Sequence, residues 1–278
     1  MLKIILFSTL IFNSFLYAKL NIIVSVLPEV SFVKSIGQDL VKVSVMVKPG
    51  DSPHTYEPKP LQMRDISKAD IYFAIGVEFE NAWLPRFTNQ NKNMLVVDLS
   101  KDIKKEPMST FKDTVAKKEH LDPHIWVAPK NIKLIAKKIY KTLCKIDTKN
   151  CTFYKKNYRD FILHVESIDK KIKNILQHTP KNSKFMVFHP AWGYFANEYH
   201  LTQLPIEIEG KTIKPKSMIK IIKIAKKEGV KAIFTQPEFS DKIAKQLAKE
   251  LNIRVIKATP LNPKWEENLI NFAKAIAQ

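Results

Sequence analysis

Glycine is scarce in this chain, with six residues among 278. The nearest two, Gly37 and Gly50, are 13 residues apart, so the chain contains neither a G-x-G-x-x-G motif nor a Walker-type loop. Backbone cradles for phosphate depend on such glycines. Their absence excludes the commonest nucleotide-binding enzymes.

Arginine is scarce as well, although Lys+Arg outnumbers Asp+Glu by 46 to 27 and the formal charge is +19. The four arginines are scattered along the chain. Nucleic-acid grooves usually combine clustered Arg with interleaved aromatic residues, so no nucleic-acid partner is expected. We interpret the excess lysines as solvated helix faces, with a basic binder of anionic surfaces as the alternative.

Long hydrophobic runs are almost absent. The apolar run at residues 4–17 is too short to span a bilayer; it follows Lys3 and precedes the small residue Ala18. This arrangement is typical of a cleaved signal peptide at residues 1–18, and the alternative is a buried first helix. No Cys stands at the expected cut, so we expect a mature chain exported to the periplasm without a lipid anchor.

Cysteine occurs twice, at Cys144 and Cys151. In an oxidising compartment these two residues are expected to form a disulfide. The alternatives are free thiols or a metal-binding pair, although the spacing is wider than the usual C-x-x-C.

Apolar segments with strand character alternate with segments of helical spacing. Strands are predicted at residues 21–26, 41–47, 71–75, 94–99, 184–188, 204–208, 231–235 and 254–257. Helices are predicted at residues 29–39, 59–69, 129–144, 192–199, 215–228, 241–251 and 265–277. Residues 104–120 have no period and are predicted to form a surface loop.

Between these two series lies a stretch without Pro or Gly, residues 151–178, whose apolar positions predict one helix of about 40 Å. The fold class is therefore α/β, with two lobes joined by one long connecting helix, each lobe a mostly parallel sheet flanked by helices. We place the N-terminal lobe at residues 19–150, the connecting helix at 151–179 and the C-terminal lobe at 180–278. Ligands of such sheets bind beyond the carboxyl ends of the strands, which places the site between the lobes.

Three of the seven histidines, His54, His124 and His189, fall in predicted loops after strands or turns, each with proline nearby. They are 70 and 65 residues apart, so only the tertiary fold could bring them together. A joint metal site is one interpretation. Unrelated surface or packed histidines are the other, and they are our interpretation of His164, His178 and His200.

Several segments resemble, in order, the zinc/manganese family of periplasmic solute-binding proteins from metal-uptake ABC transporters. Residues 49–58 read P-G-D-S-P-H-T-Y-E-P, residues 122–126 read D-P-H-I-W, and residues 189–196 read H-P-A-W-G-Y-F-A. Residues 68–76 and 230–261 resemble the family's helix-to-strand step and its closing strand–helix–strand unit. The resemblance covers nearly all of the mature chain.

The resemblance implies a metal-binding receptor and not an enzyme. Its ligands would be His54, His124 and His189, and its partner an inner-membrane ABC permease with a cytoplasmic ATPase. We expect a monomer that carries Zn²⁺ as its transported ligand. Imidazole nitrogens suit Zn²⁺, whereas manganese-type members tend to place a carboxylate where this chain has His189. A manganese-selective member is the alternative within the family, and an adhesin-like surface role, sometimes attributed to relatives, is a further rival function.

This chain departs from the family at two places. Many members have an Asp in a D-P-L near the last strand, where this chain has Thr259. The fourth ligand is therefore water, Glu238 or Glu78, and a solvated surface Glu is the other interpretation of Glu238. The loop before Asp122 also lacks the His- and acid-rich composition of many zinc-uptake members, having only His120, so a metal-collecting role for it is not supported.

Asp122 has two interpretations. A carboxylate beside a metal-bound His often holds the second ring N–H, and Asp before Pro also favours a turn. A zinc-dependent hydrolase with the same three histidines is the rival function, but the chain has no H-E-x-x-H motif and no Glu next to a candidate ligand.

Overall fold

The computed structural model describes residues 19–108, 121–208, 211–212 and 215–277. The predicted signal peptide and most of the predicted 104–120 loop, with His120, lie outside these ranges. The described residues form two four-stranded parallel sheets with helices around them. The predicted α/β class with two lobes is confirmed.

The N-terminal sheet consists of β1 (Leu20–Val24), β2 (Val41–Val45), β3 (Ile71–Ala74) and β4 (Leu95–Asp98), in the order β2-β1-β3-β4. The C-terminal sheet consists of β5 (Lys184–Val187), β6 (Thr202–Pro205), β9 (Ala232–Thr235) and β10 (Arg254–Lys257), in the order β10-β9-β5-β6. A short antiparallel pair, β7 (Glu207–Ile208) and β8 (Lys211–Thr212), follows β6 along the chain. Strand order reverses between β1 and β3 and between β5 and β9, and such switch points open the crevices where α/β sheets bind ligands.

The helices cover both faces of the sheets. They are α1 (Leu27–Gly37), α2 (Pro60–Ile66), α3 (Glu78–Gln90), α4 (Pro129–Ile146), α5 (Cys151–Leu176), α6 (Gly193–Glu198), α7 (Pro215–Lys227), α8 (Lys242–Leu251) and α9 (Trp265–Ala277). Short 3₁₀ turns lie at Gln38–Leu40, Ile125–Val127 and Thr148–Asn150.

Helix α5 connects the two lobes, as predicted. Its 26 residues span about 39 Å at 1.5 Å per residue. One face is buried along the whole length, by Tyr154, Asn157, Phe161, Val165, Ile168, Ile172 and Leu176. This face recurs at spacings of three and four residues, which is the pattern of an amphipathic helix. It packs on α1 and α4 of the N-terminal lobe and on α9 of the C-terminal lobe. The domain limits at residues 150 and 179 remain predictions.

The two lobes also pack on each other directly. Phe32 of α1 meets Trp265 of α9 with ring centroids 5.5 Å apart, and both rings contact Phe161 of α5. The indole Nε1 of Trp265 donates to Ser31 Oγ at 3.2 Å. All three aromatic residues belong to a single buried cluster that extends through both lobes. This apolar seam resists a large rotation of one lobe against the other.

Cys144 at the end of α4 and Cys151 at the start of α5 form a disulfide, in agreement with the sequence. Two predictions of secondary structure were incomplete. Helix α3 was missed, because its internal Pro85 normally interrupts a helix and few of its residues are buried. The strand predicted at residues 204–208 is instead two elements, β6 and β7.

Candidate metal centre

His54 lies in the loop between β2 and α2. Gly50 has φ +88°, a conformation that favours glycine, where the chain turns towards His54. The carbonyl of Pro53 accepts from the backbone N–H of Phe79 at 3.3 Å, which ties the loop to α3. Glu78, the first residue of α3, then pairs with His54, with 2.9 Å between Oε1 and Nδ1.

His124 is fixed by its own motif. Asp122 Oδ1 accepts from both the backbone N–H and the ring Nδ1–H of His124, at 2.9 and 2.7 Å. Trp126 reaches across to the C-terminal lobe and donates its Nε1–H to the carbonyl of Pro260 at 2.8 Å. Asp122 and His124 are buried, at 1% and 4% exposure. The D-P-H-x-W pattern therefore encodes a ligand candidate, its carboxylate and a contact between the lobes.

The second and third motifs meet at Asp122. The Tyr194 hydroxyl donates to the Asp122 carbonyl at 3.0 Å. Gly193 lies so close that a Cβ built on it would be 2.7 Å from Asp122 Oδ2. Gly193 thus leaves room for the carboxylate that holds His124, and Tyr194 bonds the backbone of the same residue.

His189 follows β5 at the switch point of the C-terminal sheet. Its Nδ1 contacts Glu207 Oε2 at 2.9 Å, and both side chains are almost fully buried. Phe239 stacks on the imidazole, with centroids 4.9 Å apart and an interplanar angle of 24°. Glu207 belongs to β7, one of the elements that the sequence predictions merged.

The fold brings these three histidines together. Each offers a ring nitrogen, and the three nitrogens lie within 4.8 Å of one another. His54 Nε2 and His189 Nε2 are 3.1 Å apart. Each Nδ1 has its own carboxylate, so three neutral imidazoles would direct their Nε2 lone pairs into one space. Lone pairs at this separation repel unless a positive charge lies between them.

The pKa values of His54 and His189 are shifted in opposite directions. Burial lowers the pKa of His189 to about 4, with Glu207 opposing and the other two imidazoles adding to the shift. Burial also lowers the pKa of His54, but the hydrogen bond and charge of Glu78 outweigh it, and the net direction is upward. Burial raises the pKa of Glu78, and its bond to His54 reverses that, so Glu78 is held in its charged form.

A cavity of about 20 Å³ lies at the three histidines. Its wall comprises Ser52, Pro53, His54, His124, His189, Gln236, Glu238, Phe239, Pro260 and Leu261. A water molecule requires about 10–15 Å³ measured in this way. The space is therefore of the size of a small ligand, and the nitrogen donors around it suit a borderline metal such as Zn²⁺.

Glu78 and Glu238, the two carboxylates considered as a fourth metal ligand, lie in different parts of the site. Glu78 bonds the Nδ1 of His54, on the side of the ring away from the other histidines. Glu238 lines the cavity, and Thr259 Oγ1 donates to its Oε1 at 3.0 Å. Thr259, where the resemblance implies an Asp in many members, thus holds the carboxylate of Glu238.

The remaining described histidines lie elsewhere. His164 pairs with Glu266 on α9 at 2.8 Å, while His178 and His200 are exposed. The sequence reasoning anticipated that Asp122 could hold His124 but missed Glu207. Nothing in the alternation of residues 204–208 distinguishes a buried Glu207 from an outward-facing one.

Comparison with known proteins agrees with this geometry. The family model described as zinc-uptake complex component A, periplasmic, matches residues 22–278. The high-affinity zinc uptake system protein ZnuA of Bacillus subtilis is 28% identical, over 85% of this chain and 76% of its own. The manganese ABC transporter substrate-binding lipoprotein PsaA of Streptococcus anginosus is 26% identical, over 80% of this chain and 74% of its own. A crystal structure of ZnuA superposes with a TM-score of 0.87 at 37% identity, covering 94% of this chain and 98% of that one.

Within the described residues, no helix combines the length and the apolar character needed to cross a membrane. Substrate-binding proteins of metal ABC transporters work outside the cytoplasm with a membrane permease and an ATPase, and they are not enzymes. The chain belongs to the zinc-uptake complex component A family and is a metal-binding protein of an ABC transporter.

Proposed function

We propose that this chain captures Zn²⁺ in the periplasm, after removal of residues 1–18, and delivers it as a monomer to an inner-membrane ABC permease. The proposed ligands are His54, His124 and His189. The observation that supports this most directly is the convergence of their three ring nitrogens within 4.8 Å.

The type of donor favours zinc over manganese. The donors facing the cavity are imidazole nitrogens, and each carboxylate sits behind a ring, at 2.9 Å from His54, 2.7 Å from His124 and 2.9 Å from His189. Mn²⁺ prefers carboxylate and carbonyl oxygen in direct contact, whereas imidazole suits Zn²⁺. The relatives include proteins named for both metals, so the choice of zinc rests on this chemistry.

Release would come from distortion of the site by the transporter. The aromatic seam of Phe32, Phe161 and Trp265 limits rotation between the lobes. The loop that carries His54 is the less buried wall of the site, since His54 is 25% exposed and His189 is 5% exposed. Contact with the permease at this loop would therefore separate His54 from the other two ligands at the smallest cost in packing.

Native mass spectrometry tests the assignment. The mature chain, residues 19–278, would be stripped of metal and offered equimolar Zn²⁺ and Mn²⁺. We expect one Zn²⁺ per chain, weakened by each of His54→Ala, His124→Ala and His189→Ala. His164→Ala is the matched control, because this histidine pairs with Glu266 away from the cavity.

Each other result has a distinct meaning. A preference for Mn²⁺ would keep the family and overturn the metal. Loss of binding in the control variant, or full binding in the three test variants, would overturn the ligand set. The absence of any specific metal would make a charge-driven binder of anionic surfaces the leading function.

A further inference from the structure

Gln236 is a buried amide beside the three histidines whose oxygen has no partner. Its side chain is 4% exposed and lines the same cavity. Within the described part of the chain, its Oε1 receives no hydrogen bond. A buried polar atom left in this way has lost its hydrogen bonds to water without replacement, which destabilises the fold. An unpaired buried atom of this kind is usually explained by a partner that binds from solvent, such as a water or an ion.

The position of Gln236 follows from strand pairing. Val187 of β5 is in register with Phe234 of β9, so His189 and Gln236, each two residues further on, leave the sheet side by side. Both residues line the same cavity. They flank the point where strand order reverses, which is the ligand crevice of this fold.

A tight turn fixes the Gln236 backbone. The carbonyl of Gln236 accepts from the N–H of Phe239 at 3.2 Å, with Pro237 as the second residue of the turn. Phe239 then stacks on the His189 ring at 4.9 Å. The same turn therefore holds the amide, the aromatic ring and the imidazole in one rigid group.

Three imidazoles occupy three of the four positions around a tetrahedral Zn²⁺, and water commonly takes the fourth. A metal-bound water carries two O–H donors, and each requires an acceptor. We propose that Gln236 Oε1 accepts one of them and that the carboxylate of Glu238, on the same wall, accepts the other. This inference rests on the proposed zinc function and makes Gln236 a positioning residue of the site.

The arrangement accounts for the departure at Thr259. With Thr in the place of the family's Asp, no carboxylate from that loop reaches the metal, and Thr259 Oγ1 instead holds Glu238 at 3.0 Å. The fourth metal ligand would then be a water molecule held by an amide and a carboxylate, in place of a charged protein side chain. A water-filled position exchanges more readily than a protein ligand, which suits a protein that must release its metal.

Two substitutions at Gln236 test the proposal. Gln236→Leu removes the acceptor, so the metal-free chain should be at least as stable while the affinity for Zn²⁺ falls about 10-fold. A residue with a merely structural role would show the opposite change in stability. Gln246→Leu, at an exposed position on α8, is the control and should change neither quantity.

The second substitution, Gln236→Glu, is read by Co²⁺ spectroscopy. In the Co²⁺-loaded wild type, the visible spectrum should change with pH as the bound water loses a proton. A negative charge at position 236 disfavours that loss, so the midpoint should move to higher pH. A spectrum without such a transition would mean that a protein oxygen fills the fourth position, and a midpoint unmoved in Gln236→Glu would mean that the amide does not face the water. Either result overturns the proposal.

Measuring His189→Ala in parallel distinguishes failure of the Gln236 inference from failure of the proposed zinc function. If the wild type holds Zn²⁺ and His189→Ala does not, while Gln236→Leu binds like the wild type, the inference fails and the zinc function stands. If the wild type holds no Zn²⁺ or Co²⁺, both fail together.

Discussion

Substitution of Gly193 by Ala should weaken metal binding without altering any of the three proposed metal ligands. A Cβ at this position would lie 2.7 Å from Asp122 Oδ2 and 3.3 Å from Gln203 Nε2. Ordinary contact begins near 3.4 Å, so the carboxylate must retreat by about 0.7 Å. Asp122 is 1% exposed, and its other oxygen holds the Nδ1 of His124 at 2.7 Å. Displacement of the Asp122 carboxylate therefore also displaces the imidazole of His124.

The expected size follows from what that contact contributes. Disturbing the carboxylate behind a metal-bound His typically costs about 10- to 100-fold in affinity, and overpacking costs about 1–3 kcal/mol of folding stability. Titration of Zn²⁺ against a chromogenic chelator measures the first quantity, and urea unfolding of the metal-free chain measures the second. Gly229→Ala is the matched control. It has φ +63° and no neighbour within 4 Å, so it should lose stability from backbone strain and keep its affinity.

A double-mutant cycle identifies the route. Asp122→Ala alone should weaken Zn²⁺ binding by a comparable factor. If Gly193→Ala acts through Asp122, adding it to Asp122→Ala should change the dissociation constant by less than about 2-fold. Wild-type affinity in Gly193→Ala, or full additivity in the double variant, would show that a Cβ at position 193 does not act on His124 through Asp122.

Two further predictions concern the scaffold. Burial raises the pKa of Glu80 to about 7, against 4.5 for an ordinary Glu. The folded state therefore binds this proton more tightly than the unfolded chain, and the stabilisation is complete below pH 4.5 and lost as the pH rises through 7. Urea unfolding should show the wild type losing about 3 kcal/mol relative to Glu80→Gln between pH 4.5 and 8, and a constant difference would contradict this. The Cys144→Ser/Cys151→Ser variant should lose about 2.5 kcal/mol of stability with unchanged Zn²⁺ affinity, since the disulfide closes only the α4–α5 turn. Equal stability of this variant and the oxidised wild type would contradict that estimate.

The sequence predicted most of the fold because its signals are local. The face of α5 repeats at helical spacing for 26 residues, and the strands of both sheets are short apolar runs. Helix α3 was missed because Pro85 interrupts its pattern, and its placement depends on contacts with the His54 loop. Tertiary contacts of this kind leave no periodic mark in a sequence.

The candidate site was predictable in part for the same reason. His54, His124 and His189 were found through three short motifs, and the local Asp122–His124 pair was anticipated. Glu207 and Gln236 were not, because the position of each beside His189 depends on the tertiary arrangement of the C-terminal lobe. The carboxylate on His189 comes from β7, 18 residues further along the chain.

Three carboxylates lie behind the three proposed ligands. Glu78, Asp122 and Glu207 each bond the outer nitrogen of a histidine, so they would face the +2 charge of a bound metal through the imidazole rings. A carboxylate in direct contact would hold a hard ion such as Mn²⁺ at least as well as Zn²⁺. Moved one ring outward, it still stabilises a divalent cation and fixes the tautomer, but the metal itself meets nitrogen. Selectivity for Zn²⁺ would thus depend on the distance between charge and metal, and Thr259 in place of the family's Asp is consistent with this division.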